Sequence, residues 1–484
     1  MSLNIHFRSV INILGLLLMF MALTMLLPLP FSFYYDSGDH NPLIFSAAIT
    51  FFTGLAAYYF SDFNEDLRPK EGFAIVTFSW IGLSLFGSLP FILSGAIPDF
   101  TNAFFETISG FSTTGATILS DIESLPRGIL FWRSLTHWIG GMGIIVLSLA
   151  ILPFLGVGGM QLFKAEVPGP TADKLAPKVA DTAKMLWGVY VLLTGIQTSL
   201  LMFGGMDLYD SLCHAFGTMA TGGYSTQNTS VAAYSSAYID WVIIFFMIIA
   251  GSNFSLHYRM LRGNFKAYFQ NVEFKFYLGI IALATLIISF DTLTMSDASI
   301  DKSFRDTLFQ VVSIITTTGF ATADYEDWSF ASQAVLFFLM FTGACAGSTS
   351  GGMKLVRIYL LIKFVLSEIV RLIHPHAVVP VRIGKTVVNR DVMQNIIGYF
   401  ILFIMIYSVG VLIMTATGLD IESSFGAVAA TLGNVGPGLG SIGPTDNYAH
   451  ISVIGKWVLS FLMLVGRLEV FTVIILFSPS FWQK

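Results

Sequence analysis

The chain has 484 residues, of which 55% are hydrophobic and only 11% charged, and its mean hydropathy is +0.74. A soluble fold must cover its exterior with polar groups, and an average domain is about a quarter charged. Soluble enzymes, secreted disulfide scaffolds and disordered chains are therefore excluded. Cys213 and Cys345 lie far apart in apolar surroundings, which signals neither a disulfide framework nor a zinc site.

A helix needs about 20 apolar residues to cross a bilayer. Uncharged runs occupy 9–35, 40–61, 72–98, 134–163, 185–206, 241–258, 276–290, 328–353 and 392–419. A tenth, near 452–477, carries Arg467 and Glu469. The first run is too long, and too polar beyond Leu29, for a cleaved signal peptide, and reads as a retained helix. Barrel strands are short and alternating, so an outer-membrane barrel is excluded. Four shorter, more polar segments lie between the spans: 101–113, 208–220, 304–317 and 422–434. Each ends in a Thr/Gly or Asn/Gly cluster. They are too short to span and are expected to dip in and return, which is tolerated where backbone is buried or lines water.

The expected fold class is an all-α integral membrane protein: ten transmembrane helices and four re-entrant helices. Two N-terminal helices (1–66) precede four units, 67–165, 166–265, 266–375 and 376–484, the third with a broken second span. A cytoplasmic N-terminus with the dips on the outer side leaves only five of the 25 Lys and Arg outside, against nineteen of the 30 Asp and Glu. That threading satisfies the positive-inside rule. The acidic outer mouth would concentrate cations.

The dips are similar to one another. FFETISGFSTTG (104–115), SLCHAFGTMATG (211–222), LFQVVSIITTTG (308–319) and FGAVAATLGNVG (425–436) align on Gly115, Gly222, Gly319 and Gly436. Four copies can close around a pseudo-fourfold axis, each aiming the negative end of a helix dipole at it. Glycine's conformational freedom would let successive carbonyls face the axis. Rings of carbonyls replace the hydration shell of a bare cation.

On Thr113-Thr114-Gly115, Ala220-Thr221-Gly222-Gly223-Tyr224-Ser225, Thr317-Thr318-Gly319-Phe320-Ala321 and Asn434-Val435-Gly436-Pro437-Gly438, the chain resembles the Trk/Ktr/HKT superfamily of K⁺ transporters, most closely its bacterial TrkH/TrkG membrane-subunit branch. The likeness covers essentially the whole chain. It implies a multi-pass inner-membrane K⁺ uptake subunit and no enzyme. The implied K⁺ filter is Thr113, Thr114, Gly115, Ala220, Thr221, Gly222, Thr317, Thr318, Gly319, Asn434, Val435 and Gly436. It also implies Rb⁺ permeation, a homodimer, and a cytosolic TrkA-like ring that binds NAD(H) or ATP. No organic cofactor and no nucleic acid are expected. Basic, Pro-punctuated segments 156–184 and 354–390 suit anionic lipid, the regulatory ring, or both.

Residues 343–354, GACAGSTSGGMK, interrupt the span after the third dip. Glycine costs about 1 kcal/mol in a helix interior, so Gly343, Gly347, Gly351 and Gly352 predict a break. The resemblance makes this the loop that closes the pore. Arg467, near mid-membrane, costs at least about 2.5–3.5 kcal/mol on insertion scales. It is either half of an ion pair or a positive barrier facing the pore. Glu469, at i+2, does not share its helix face, and the family carries an Arg here, so the barrier is preferred; Glu469 is assigned to packing or an interface.

Other features are read as structural. Gly438–Gly443 matches GxGxxG without the strand and βαβ unit the motif requires. Gly140, Gly141, Gly143, Gly156, Gly158 and Gly159 are packing or hinge glycines. His137, His214, His257, His374, His376 and His450 show no metal spacing. An ion-coupled carrier working by alternating access is the alternative function. Same-direction repeats, and the absence of intramembrane carboxylates apart from Glu469, weigh against it.

Overall fold

The computed structural model describes residues 7–61, 69–150, 179–295 and 299–482. Gly156, Gly158, Gly159 and the basic stretch up to Lys178 lie outside the described residues. Helices α1 (Phe7–Thr24) and α2 (His40–Tyr59) pack antiparallel, with Asn12 on Ser61 and Met25 on Thr50. Gly15 and Gly54 make this crossing close: a Cβ on Gly15 would sit 2.6 Å from the Gly54 carbonyl. Small residues allow such approach between membrane helices.

A long helix, a short helix and a further helix then recur four times. The first set is α3 (Pro69–Gly87), α4 (Phe100–Phe111) and α5 (Arg127–Ala150). The second is α6 (Val179–Phe203), α7 (Leu208–Met219), α8 (Ala237–Ala250) and α9 (Phe254–Leu261). The third is α10 (Val272–Met295), α11 (Ile300–Ile315), α12 (Phe330–Met340) and α13 (Leu355–Ile373). The fourth is α14 (Arg390–Ala416), α15 (Ile421–Leu432), α16 (Val453–Arg467) and α17 (Phe471–Ile474).

Among the described residues, six helices are long and apolar enough to cross a membrane: Phe7–Tyr34, His40–Tyr59, Lys70–Leu93, Asp181–Phe203, Val272–Leu293 and Arg390–Ala416. Two bent pairs could add one span each. α8 and α9 meet at 102°, and α16 meets the Phe471–Phe477 segment at 113°. The outward faces carry large apolar side chains such as Phe52, Leu286 and Leu412. Ser and Thr are packed inside, the arrangement a hydrocarbon surround favours.

Three of the expected spans are thus not single unbroken helices. Run 241–258 breaks at Gly251–Asn253, run 452–477 breaks at Leu468–Val470, and helix in run 328–353 stops at Met340. The fold also departs from all-α at one antiparallel hairpin, β1 (Arg382–Ile383) with β2 (Thr386–Val387).

Each short helix starts on a capping side chain that accepts a backbone N–H. Asp99 takes it from Asn102, Asp207 from Asp210, Ser299 from Lys302 and Asp420 from Ser423. Such caps satisfy orphan donors at a helix start. Ser236, Ser329 and Ser452 cap the helices that follow in the last three units.

Candidate functional site

All four short helices end alike. At α4, Thr113 N–H donates to Gly110 and Thr114 N–H to Ser109, the paired bonds of a Schellman C-cap. Thr221 and Gly222 repeat this on Thr218 and Gly217, Thr317 and Thr318 on Ile314 and Ser313, and Asn434 and Val435 on Thr431 and Ala430. The cap needs a left-handed residue, usually glycine. Here it is Thr113 (φ 50°), Thr221 (φ 54°), Thr317 (φ 56°) and Asn434 (φ 54°). A left-handed β-branched residue costs about 1–3 kcal/mol, and such strain gathers at functional sites. A glycine with positive φ follows two residues later: Gly115 (83°), Gly223 (79°), Gly319 (82°) and Gly436 (99°).

This corrects the alignment of the second segment by one residue. Gly223, not Gly222, is the equivalent of Gly115, Gly319 and Gly436. Ala220 is the last helical cap residue, matching Ser112, Thr316 and Gly433. Lining up Thr221 with Thr113 and Thr317, rather than the first glycine of the pair, was the available signal.

The four segments close on one another. A Cβ on Gly115 would run into the Gly222 carbonyl, one on Gly223 into Thr318, one on Gly319 into Val435, and one on Gly436 into Thr114. Each residue after a left-handed one thus abuts the neighbouring glycine, and the fourth segment returns to the first. Thr113, Thr114, Thr221, Gly222, Thr317, Thr318, Asn434 and Val435 are all buried. Asn434 Nδ2 ties the closure, donating to Thr114 Oγ1 (3.0 Å) and to the Met463 carbonyl (2.9 Å).

Braces stand behind the ring at one shared position of the short helices. Glu106 accepts from Ile118 N–H at 2.9 Å and pairs with Arg133 Nε at 2.7 Å. His214 Nε2 bonds Ser225 Oγ at 2.9 Å, and Gln310 Nε2 donates to the Ala323 carbonyl at 3.0 Å. The fourth unit has Ala427 there; Tyr448 and Tyr325 hydroxyls hold the Gly436 and Gly438 carbonyls instead, each at 2.7 Å. Arg133 also lies over the Tyr224 ring at 3.5 Å. His137 donates from Nδ1 to Gly110, and Gly140 and Gly141 pack on Phe111 and Ala220.

Gly438–Gly443 is a turn in the segment after the fourth ring strand, with Gly438 N–H on the Ile442 carbonyl. Gly440 N–H donates to Glu326 at 2.6 Å, while burial pushes the Glu326 carboxyl above its ordinary range.

The segment between α12 and α13 is not helical. Its neck closes through Gly343 N–H on Met353 (2.7 Å), and Gly347 and Gly352 take positive φ. Its tip touches three ring segments. Thr349 Oγ1 donates to the Met219 carbonyl at 3.0 Å and lies 3.3 Å from Thr221 Oγ1. Gly351 N–H donates to Thr317 Oγ1 at 2.7 Å, and Gly351 lies against Asn434. Arg467, 2% exposed, holds the tip from α16: Nη1 donates to the Thr349 carbonyl at 2.6 Å, and Nη2 to Gly140 at 3.2 Å.

Among the described residues no carboxylate pairs with Arg467. Glu469 pairs instead with Arg357, at 2.5 Å. Carboxylates other than Glu469 are buried in the protein as well: Glu106 and Glu273 are 1% and 2% exposed.

Apolar spans around a buried closed ring of helix ends make this a multi-pass membrane transport protein. The sequence profile of the TrkH family, described as a cation transport protein, matches residues 39–484, and the chain belongs to that family. It is 41% identical to the Trk system potassium uptake protein TrkH of Escherichia coli K12, covering 99% of this chain and 100% of that protein. It is 35% identical to the Trk system potassium uptake protein TrkG of the same organism, over 99% of each. The crystal structure of the potassium transporter TrkH from Vibrio parahaemolyticus superposes with a TM-score of 0.92 at 38% identity, covering 99% of this chain and all of that one. These relatives are named as transporters, not enzymes.

Proposed function

We propose that the chain takes up K⁺ across the bacterial inner membrane, through a filter made by the four-segment ring. The observation that carries this is the ring closure: four equivalent backbone segments, each at a helix C-terminus, each with a carbonyl beside the glycine of the segment before it, the first segment's carbonyl lying beside the fourth's glycine. Helix C-termini are partly negative and favour a cation. Carbonyl rings can replace hydration water, and the set is Thr113–Gly115, Thr221–Gly223, Thr317–Gly319 and Asn434–Gly436. One left-handed glycine per segment and four unlike sequences make a shorter, less symmetrical filter than tetrameric K⁺ channels use. It discriminates K⁺ from Na⁺ modestly and passes Rb⁺.

K⁺ gathers at the acidic outer mouth, sheds water onto the ring, and meets the loop tip at Thr349 and Gly351. That tip, with Arg467 behind it, blocks the path, and conduction needs it to withdraw. Ten spans, four re-entrant helices and the unit boundaries 67–165, 166–265, 266–375 and 376–484 complete this reading. So do a cytoplasmic N-terminus, a homodimer and a cytosolic nucleotide-binding ring acting on the loop.

The ion-coupled alternative is not favoured. Glu106 is committed to Arg133 and Ile118, and Glu273 to backbone amides of the loop region. The deciding experiment is ⁸⁶Rb⁺ uptake by purified protein in liposomes, with and without a proton gradient. Uptake driven by the Rb⁺ gradient alone, and weakened by Gly115→Ser, is expected. Uptake that requires the proton gradient would sink the pore reading.

A further inference from the structure

Glu273 sits in the first turn of α10, and its Oε1 accepts two backbone amides: Ala346 N–H at 2.8 Å and Val356 N–H at 3.1 Å. These amides lie on either side of the tip that carries Thr349 and Gly351. One oxygen therefore pins both the chain entering the loop and the chain leaving it. The remaining anchors are of another kind. Cys345 N–H on Gly251 and Phe254 N–H on Gly347, each at 3.0 Å, seat the entering limb in the break between α8 and α9. Lys354 Nζ folds back onto the Ser350 carbonyl and hydroxyl.

Glu273 alone among these comes from the start of α10, directly after the Lys266–Gln270 turn that the proposed topology puts in the cytoplasm. Arg357, next to Val356, pairs with Glu469 and lies over the Tyr399 ring at 4.1 Å. Hydrogen bonds to an ionised acceptor are about twice as strong as neutral ones. A buried amide that loses its acceptor also pays its full desolvation.

We propose that Glu273 is the latch of the loop, a positioning residue through which the cytoplasmic end of α10 holds the tip against the ring. The proposal rests on the reading of that loop as the gate. A pull on the segment before α10 removes the acceptor from both amides at once and frees the tip.

Cys345 reports on this directly, because it lies in the loop and is 1% exposed. On a Cys213→Ala background it is the one thiol left. The test compares N-ethylmaleimide labelling of Cys345, basal ⁸⁶Rb⁺ flux and thermal midpoint in Glu273→Ala, Glu273→Gln and the parent. Glu273→Ala should label and conduct about tenfold faster, as loss of two such bonds allows. Glu273→Gln keeps an acceptor oxygen and should recover most of the protection, which a mere loss of packing would not predict. Cys345 staying protected in folded Glu273→Ala overturns the latch. Cys345 exposed with unchanged flux keeps the latch and removes the gate reading. Glu273→Leu, which fills the volume without an acceptor, carries the same test if the alanine variant does not fold.

Discussion

Arg467 and Thr349 are joined across two repeat units: the guanidinium at the end of α16 donates to the Thr349 carbonyl at 2.6 Å, while its other arm reaches Gly140 at 3.2 Å. The positive charge is therefore also a tether, bridging the loop tip to α5. Removing it takes away a buried positive charge and a loop anchor together.

Arg467→Ala should raise basal K⁺ flux about tenfold, the change that ~1.4 kcal/mol produces, with K⁺/Na⁺ preference largely kept. Arg467→Lys retains the charge but not the fork that binds two carbonyls, so its flux should fall between the two. Flux in liposomes, normalised to folded protein, measures both. Destabilised Arg467→Ala with unchanged flux per folded molecule would return Arg467 to a structural role.

The one-residue register of the second segment has its own test. Gly223→Ala places a Cβ at positive φ and against the Thr318 carbonyl. That strain, about 1–2 kcal/mol before any clash, distorts the ring and should cut selective flux several-fold. Gly222→Ala instead meets the His137 ring at 2.6 Å. Adding His137→Ala should recover flux in Gly222→Ala but not in Gly223→Ala. Equal rescue of both would restore the original alignment.

Glu106 and Arg133 form a buried pair 2.7 Å apart behind the first ring segment. Breaking such a pair leaves an uncompensated charge and costs about 3–5 kcal/mol. Glu106→Ala should lower the thermal midpoint sharply, and Glu106→Gln less so, since it can still accept from Ile118. Where Glu106→Gln folds, its K⁺/Na⁺ flux ratio should drop, because the strand after Gly115 loses a charged brace. An unchanged ratio would confine Glu106 to stability.

Six of the ten expected spans and the four short helices were legible because apolar run length and polar punctuation are local. Asp99, Asp207 and Asp420 each open a short helix, and a Thr/Gly or Asn/Gly cluster closes it. The register of Gly222 and Gly223 was not, since two adjacent glycines fit the pattern equally until backbone angles separate them. The left-handed threonines were hidden for the opposite reason: a β-branched residue is the last choice for that conformation. Pairings were out of reach as well. Glu469 finds Arg357 and Arg133 finds Glu106 through folding, not spacing.

Gly351 sits where the loop meets the ring. Its N–H donates to Thr317 Oγ1 at 2.7 Å, and a Cβ there would lie 2.6 Å from Asn434 Cβ and 2.7 Å from the Gly433 carbonyl. Two of those neighbours are ring backbone or its left-handed residue, so the loop must yield. Gly351→Ala should lift the tip and raise basal flux several-fold without changing the thermal midpoint by more than a few degrees, about 1 kcal/mol in a domain this large. Asn434→Gly removes the Cβ it would strike, along with the bond to Thr114. The double variant should therefore regain closure at the tip but lose K⁺ preference, separating gate from filter in one pair of flux measurements. If Gly351→Ala conducts like the parent, the tip does not obstruct the path.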